Sequence, residues 1–90
     1  MGQIQAVVYG VVQGVGFRYH TQKMAQGLGL TGYVRNRPEG TVEIVAAGSP
    51  EALEALLTWA NRGPTGAQVT QLAVTERDGS SQFDGFTIKR

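Results

Sequence analysis

Residues 3–20 read QIQAVVYGVVQGVGFRYH, and the pattern changes from strand-like to helical part-way along this stretch. In the first half Val, Ile and Tyr dominate and alternate residues share an apolar face, which predicts a strand over 3–12. The run Gln13-Gly14-Val15-Gly16 then ends the strand. A helix is predicted over about 18–28 because the apolar and small residues that follow have helical spacing: Phe17, Thr21, Met24, Ala25 and Leu28. The chain therefore opens with a strand, a glycine-rich bend and a helix.

The rest of the chain contains further strand patterns and one more helix. The pattern predicts a strand over 31–37, a turn at Pro38-Glu39-Gly40 and a strand over 41–47. A helix is then predicted to start at Ser49-Pro50-Glu51 and to end at Gly63-Pro64. The chain continues with a predicted strand over about 67–76, a loop over 77–82 and a short strand at Phe86-Thr87-Ile88.

The order β-α-β-β-α-β is the split βαβ arrangement of ferredoxin-like folds. Right-handed crossovers place both helices on one face of the sheet. The predicted fold class is therefore α+β: a ferredoxin-like sandwich with an antiparallel sheet, two helices on one face and a short C-terminal strand. A length of 90 residues predicts a single domain over 1–90.

The composition excludes several classes of protein and of site. Apolar residues make up 41% of the chain and charged residues 17%, which is typical of a folded globular domain. The chain has no cysteine, so disulfides, thiolate metal sites and a cysteine nucleophile are excluded and a reducing compartment is favoured. No apolar run reaches the roughly 18 residues of a membrane span, and no signal peptide pattern opens the chain. We therefore expect a cytoplasmic protein, and the small size and mixed surface favour a monomer.

Charge is distributed unevenly along the chain. Residues 1–38 hold four basic residues and no acidic one, whereas residues 39–90 hold four basic and seven acidic residues, so segments of +4 and −3 underlie the net charge of +1. The basic segment is either an ordinary solvated surface or part of an anion-binding site.

Two polar residues of the basic segment are predicted to converge at one edge of the sheet. The first and second strands flank a helical crossover and run in the same direction, and the third strand can insert between them. Arg18 follows the first strand and Asn36 ends the second, so their backbones are expected to lie about 10 Å apart.

The bend at 13–16 has the features of an anion site. Gly14 and Gly16 allow a tight loop whose N–H groups face one side, and the helix N-terminus that follows favours negative charge. Because the helix dipole disfavours a cation in the first turn, the position of Arg18 indicates a function, and its planar guanidinium suits phosphate oxygens. These features together predict a phosphoryl-binding site.

Other motifs give weaker signals. No Walker loop is present, and the G-x-G-x-x-G match at 27–32 follows a helix and precedes a strand, the reverse of the dinucleotide-binding context. RNA-recognition modules need aromatic residues on the central strands, where this chain offers only Tyr9. His20 has no neighbouring acid, so no metal site is predicted. Two alternatives to an enzyme stay open: a non-catalytic module that binds phosphate or nucleic acid, and a structural domain in which Arg18 pairs with an acid.

Two stretches resemble the signatures of the acylphosphatase family. Gly10-Val11-Val12-Gln13-Gly14-Val15-Gly16-Phe17-Arg18 is similar to the first signature, and Gly32-Tyr33-Val34-Arg35-Asn36 followed by Gly40, Val42 and Gly48 resembles the second. The two stretches cover about residues 10–48, and the β-α-β-β-α-β order covers the rest.

This resemblance implies a hydrolase that converts acyl phosphates to a carboxylate and inorganic phosphate without a metal or cofactor. It implies that Arg18 binds the phosphoryl group and that Asn36 orients the attacking water. The implied phosphate-binding loop consists of Gln13, Gly14, Val15, Gly16, Phe17 and Arg18. The implied partners are a small-molecule acyl phosphate and the product inorganic phosphate, with no nucleic acid and no membrane. An enzyme therefore ranks ahead of both alternatives.

Overall fold

The computed structural model describes residues 2–79 and 82–90 and contains the predicted order of strands and helices. Its elements are β1 (Gly2–Val11), α1 (Phe17–Gly27), β2 (Thr31–Asn36), β3 (Val42–Gly48), α2 (Pro50–Ala60), β4 (Gln68–Glu76) and β5 (Phe86–Lys89). The ferredoxin-like β-α-β-β-α-β order is confirmed, and the bounds differ from the predicted ones by a few residues at most. Of the predicted loop over 77–82, residues 80 and 81 lie outside the described residues.

The sheet has the strand order β4-β1-β3-β2-β5. β1 pairs antiparallel with β3 and β4, and β2 pairs antiparallel with β3, as predicted. β5 pairs parallel with β2, which makes the sheet mixed and corrects the prediction of an antiparallel sheet for this one strand. The contacts at the start of β5 explain its direction. The Gly32 N–H donates to the Gly85 carbonyl over 2.9 Å and Phe86 is buried, so β5 begins beside the beginning of β2.

The core lies between the helices and one face of the sheet. The predicted apolar face of the first strand is buried there, with Ile4, Ala6, Val8 and Val12. Phe17 from α1 and Leu56 from α2 are almost fully buried, and the Phe17 and Trp59 ring centroids lie 5.4 Å apart. Because Phe17 is the first residue of α1, this packing fixes the start of the helix against both the sheet and α2.

Gly32 shows that a signature residue can be required by strand packing. Its φ of 140° is a conformation that residues with a side chain rarely adopt, and a Cβ atom there would clash with the Val45 carbonyl of β3. A glycine at this position therefore lets β2 pair closely with β3 and places the end of β2 correctly at the sheet edge.

Both helices of the described residues are 11 residues long. Within residues 2–79 and 82–90, no helix has the length and apolar character needed to cross a membrane.

The face of the sheet opposite the helices carries a polar network around Glu43. This residue is 5% exposed, and its carboxylate accepts hydrogen bonds from Arg35 Nε and Gln5 Nε2. Burial raises the pKa of Glu43, but the hydrogen bonds from Gln5 and Arg35, with the charges of Arg35 and Arg37, outweigh burial and leave the pKa below its usual value. The folded state therefore stabilises the charged carboxylate.

Acid unfolding tests this network. Because the folded-state pKa of Glu43 is lowered, its contribution to the free energy of unfolding is complete above about pH 5 and is lost as the pH falls below the unfolded value of about 4.3. We expect Glu43→Gln to lower the stability at pH 7 and to flatten the loss of stability below about pH 5. Urea unfolding at a series of pH values measures both effects.

The control is Glu54→Gln, which changes an exposed helix residue that forms no ion pair within the described parts of the chain. This variant should follow the wild-type curve. If Glu43→Gln lost stability as steeply as the wild type below pH 5, the assignment of the acid-sensitive group to Glu43 would be wrong.

Candidate active site

Three strands end at the same edge of the sheet. β1 and β2 are both antiparallel to β3 and therefore parallel to each other, and β5 is parallel to β2. The loop after β1, the last residue of β2 and the residue after β5 consequently meet at this edge, where α1 also begins. The topology thus brings together residues that are far apart in the sequence.

A cavity of about 280 Å³ opens at this edge. Its lining residues are Val12, Gly14, Gly16, Phe17, Arg18, Tyr19, Asn36, Ile88 and Arg90. Arg18 and Asn36 therefore line one cavity, as the topology predicted. Of the six predicted loop residues, all but Gln13 and Val15 line the cavity; Val15 packs against the core instead.

At two positions of the loop over 13–16 the backbone has a conformation that only glycine adopts readily. Gly14 and Gly16 have φ values of 78° and 77°, in the left-handed region. Within the described residues, no carbonyl or side chain accepts a hydrogen bond from the backbone N–H groups of residues 13–19. These N–H groups are consequently available to a ligand, which is the condition that an anion-binding loop must meet.

The N-termini of the two helices differ in the way expected if only one of them binds an anion. At α2 the Ser49 hydroxyl accepts a hydrogen bond from the Ala52 N–H over 3.2 Å, and Glu51 lies in the first turn. At α1 the capping residue is Gly16, and no side chain among the described residues caps the helix. The first turn of α1 contains no acidic residue and instead carries the basic Arg18. The positive end of the helix dipole and a guanidinium therefore coincide at the cavity, where an anion would offset both.

Arg18 has no acidic partner in the described part of the chain. The ion pairs there are Arg35–Glu43 and Arg37–Glu39, and the cavity lining includes no Asp or Glu. The alternative in which Arg18 pairs with an acid for structural reasons is therefore not supported. Residues 2–79 and 82–90 also contain no group of three or more His, Asp or Glu side chains that could hold a metal ion.

Gln13 connects the glycine loop to the hairpin that carries Asn36. Its Nε2 donates to the carbonyl oxygens of Arg37 and Thr41, each over 2.9 Å, and the Arg37 N–H also donates to the Thr41 carbonyl. Both protons of the Gln13 amide are thereby directed to the β2–β3 turn and not to the cavity. Gln13 therefore fixes the position of the loop relative to the end of β2.

Sequence reasoning missed the side-chain role of Gln13 and four lining residues, Val12, Tyr19, Ile88 and Arg90. Tyr19 is 53% exposed and follows Arg18 directly, so its proximity to Arg18 was the available signal. Ile88 and Arg90 reach the cavity only because β5 is parallel to β2, and the pattern of this short strand contains no signal for its direction.

The model of the acylphosphatase family matches residues 4–88, which is nearly the whole chain. The chain belongs to the acylphosphatase family. It is 53% identical over 87 residues to an acylphosphatase of Yersinia pseudotuberculosis, covering 96% of this chain and 94% of that protein. It is also 48% identical to an acylphosphatase of Actinobacillus succinogenes over the full length of both.

Solved structures confirm the fold of this acylphosphatase-family chain. The crystal structure of acylphosphatase from Bacillus subtilis matches it with a TM-score of 0.96 and 39% identity, and all of each chain is covered. The predicted family and the predicted enzyme class, a hydrolase, are thus confirmed.

Removal of the Gln13 side chain tests its role as a link between the loop and the hairpin. Gln13→Ala deletes two hydrogen bonds and is expected to lower the free energy of unfolding by about 1–2 kcal/mol, because each such bond contributes roughly 1 kcal/mol. Urea denaturation measures the change. Gln26→Ala on the exposed face of α1 is the control and should have almost no effect. Equal stabilities of the two variants would contradict the proposed link.

Proposed function

We propose that the cavity at the carboxyl ends of β1, β2 and β5 hydrolyses acyl phosphates to a carboxylate and inorganic phosphate. The observation that carries the proposal is that the backbone N–H groups of residues 13–19 have no acceptor in the described part of the chain, while Gly14, Gly16 and Phe17 line one cavity with Arg18 and Asn36. An acyl phosphate is a mixed anhydride whose leaving group is a carboxylate, so its departure requires no strong general acid. The described residues that line the cavity include no Asp, Glu or His, and such a lining suits this substrate.

The phosphoryl group is assigned to the glycine loop and Arg18. Backbone N–H groups of residues 13–18 donate to the phosphoryl oxygens, and the Arg18 guanidinium donates to two of them in parallel. In phosphoryl transfer the protein mainly positions the reactants and stabilises charge on the equatorial oxygens. The fixed dipoles of the loop and the permanent cation of Arg18 perform this task with groups that the chain itself supplies.

The attacking water is assigned to Asn36. Asn36 is the last residue of β2, and β3 separates β2 from β1, the strand that leads into the glycine loop. A water bound by the Asn36 carboxamide therefore approaches phosphorus from outside the phosphate-binding loop. The water oxygen forms the new bond to phosphorus while the bond from phosphorus to the acyl oxygen breaks. The carboxylate departs with the electron pair, and the water proton passes to solvent. Asn36 contributes orientation, and correct orientation of the reacting groups lowers an activation barrier by several kcal/mol.

The two roles predict different kinetic effects for two variants. Arg18→Ala should nearly abolish turnover of benzoyl phosphate and weaken inhibition by inorganic phosphate, since the loss of such a charge-stabilising donor costs about 3–4 kcal/mol or more. Asn36→Ala should lower kcat and leave the inhibition constant of phosphate almost unchanged, because the water is not part of phosphate binding. Steady-state kinetics with phosphate as competitive inhibitor measure both.

Arg77→Ala and Asn61→Ala serve as matched controls. Arg77 follows β4 at the opposite edge of the sheet, and Asn61 lies at the end of α2 and is not among the residues that line the cavity. Both should behave as the wild type. Loss of phosphate affinity with an intact kcat in Asn36→Ala would show that the roles are misassigned, and phosphate binding without any turnover in the wild type would favour a non-catalytic binding module.

A further inference from the structure

A second arginine, Arg90, lines the cavity together with Arg18. The parallel register pairs Val34 with Ile88 and Arg35 with Lys89, so the next position in that register places Arg90 beside Asn36. Neighbouring strands lie about 4.8 Å apart, which brings the backbones of these two residues close together. Arg90 is thus on the β5 side of Asn36, whereas the glycine loop is on the β1 side.

The alternation of side chains directs Arg90 toward the face on which α1 begins. Ile88 packs against the core on that face, whereas Lys89 points to the opposite face, where its Nζ lies 4.1 Å from the centroid of the Tyr33 ring. Because successive residues of a strand point to opposite faces, the side chain of Arg90 lies on the same side as Ile88. This agrees with its position in the cavity lining beside Asn36.

No Asp or Glu side chain lies beside the two guanidinium groups in the described cavity lining. Neither Arg18 nor Arg90 forms an ion pair within residues 2–79 and 82–90, and the lining contains no Asp or Glu. Two like charges on one small cavity repel each other, and an anion bound between them removes that repulsion. The arrangement is therefore suited to a ligand with more than one negative charge, such as a phosphoryl dianion.

We propose that Arg90 is a second phosphoryl-binding residue, which raises the affinity of the cavity for acyl phosphates and inorganic phosphate alike. This inference rests on the proposed function in taking the phosphoryl group as the ligand. It adds a binding contact from β5 to those from the glycine loop and Arg18.

The in-line geometry of the reaction indicates which part of the substrate Arg90 contacts. Attacking and leaving oxygens lie on opposite sides of phosphorus, so a water held by Asn36 places the acyl group on the side away from Asn36. Arg90 adjoins Asn36 and therefore faces phosphoryl oxygens and not the acyl group. Its contact is with charge that is already present in the substrate and that persists in the product.

A contact of this kind changes binding without changing the chemical step. An interaction made equally in ground state and transition state lowers KM and leaves kcat unchanged. Arg90 is exposed and lies outside the glycine loop, so it is not part of the rigid cradle that stabilises the transition state. Arg18 and Arg90 should consequently have distinguishable kinetic signatures.

The test compares Arg90→Gln, Arg90→Lys and the control Arg77→Gln in the full chain. Arg77 lies at the other edge of the sheet, about 20 Å or more away along β4, and is screened from the cavity at 0.1 M salt. We expect Arg90→Gln to raise both KM for benzoyl phosphate and the inhibition constant of inorganic phosphate by about 3- to 10-fold, the range for one hydrogen-bonded charge, with kcat within twofold. Arg90→Lys should recover part of the affinity, and Arg77→Gln should match the wild type.

Binding of inorganic phosphate is also measured directly by calorimetric titration, which does not depend on turnover. Unchanged phosphate affinity in Arg90→Gln would overturn the proposal. This holds even if KM rises for acyl phosphates that carry a second acidic group in the acyl part, because Arg90 would then bind the acyl part and not the phosphoryl group. A fall in kcat with unchanged phosphate affinity would overturn it as well. If the wild type bound phosphate but hydrolysed no benzoyl phosphate, the proposed function would fail, and the titration of Arg90→Gln would still decide the role of Arg90.

Discussion

The site depends on a single constraint, the parallel alignment of β1 and β2 on either side of β3. This alignment puts the glycine loop and Asn36 at one edge of the sheet and lets α1 begin there, with its first three residues in the cavity lining. The burial of Phe17 then fixes the first turn of α1, and Gln13 links the loop to the β2–β3 turn. Packing and a few hydrogen bonds thus hold a set of otherwise unfavourable charges and dipoles in place.

Those charges and dipoles are unfavourable only in the absence of an anion. A helix N-terminus without a capping side chain, two left-handed glycines and an arginine in the first turn all reduce the stability of an isolated fold. The contrast with α2, which has a serine cap and an acid in its first turn, shows that the chain can provide a conventional helix start elsewhere. The proposed binding of a phosphoryl group at α1 accounts for this difference between the two helices.

Much of this site could be predicted from the sequence because the signals are local. Glycines between a strand and a helix, an arginine in the first turn and an asparagine at a strand end each have a recognisable pattern, and the β-α-β-β-α-β order is sufficient to bring Arg18 and Asn36 together. The direction of β5 could not be predicted, because a four-residue edge strand is fixed by contacts of Gly85 and Phe86 with distant parts of the chain. Arg90 was missed for that reason. The role of Gln13 was missed because its two acceptors are main-chain carbonyls 24 and 28 residues away.

The central claim, that the loop amides and Arg18 hold the phosphoryl group, is tested most directly by an NMR titration of the protein with inorganic phosphate. The account predicts that the backbone amide resonances of residues 13–18 shift and saturate with one common affinity, while those of β4 stay in place. Phosphate binding that leaves the amides of residues 13–18 unchanged and shifts resonances elsewhere would contradict it.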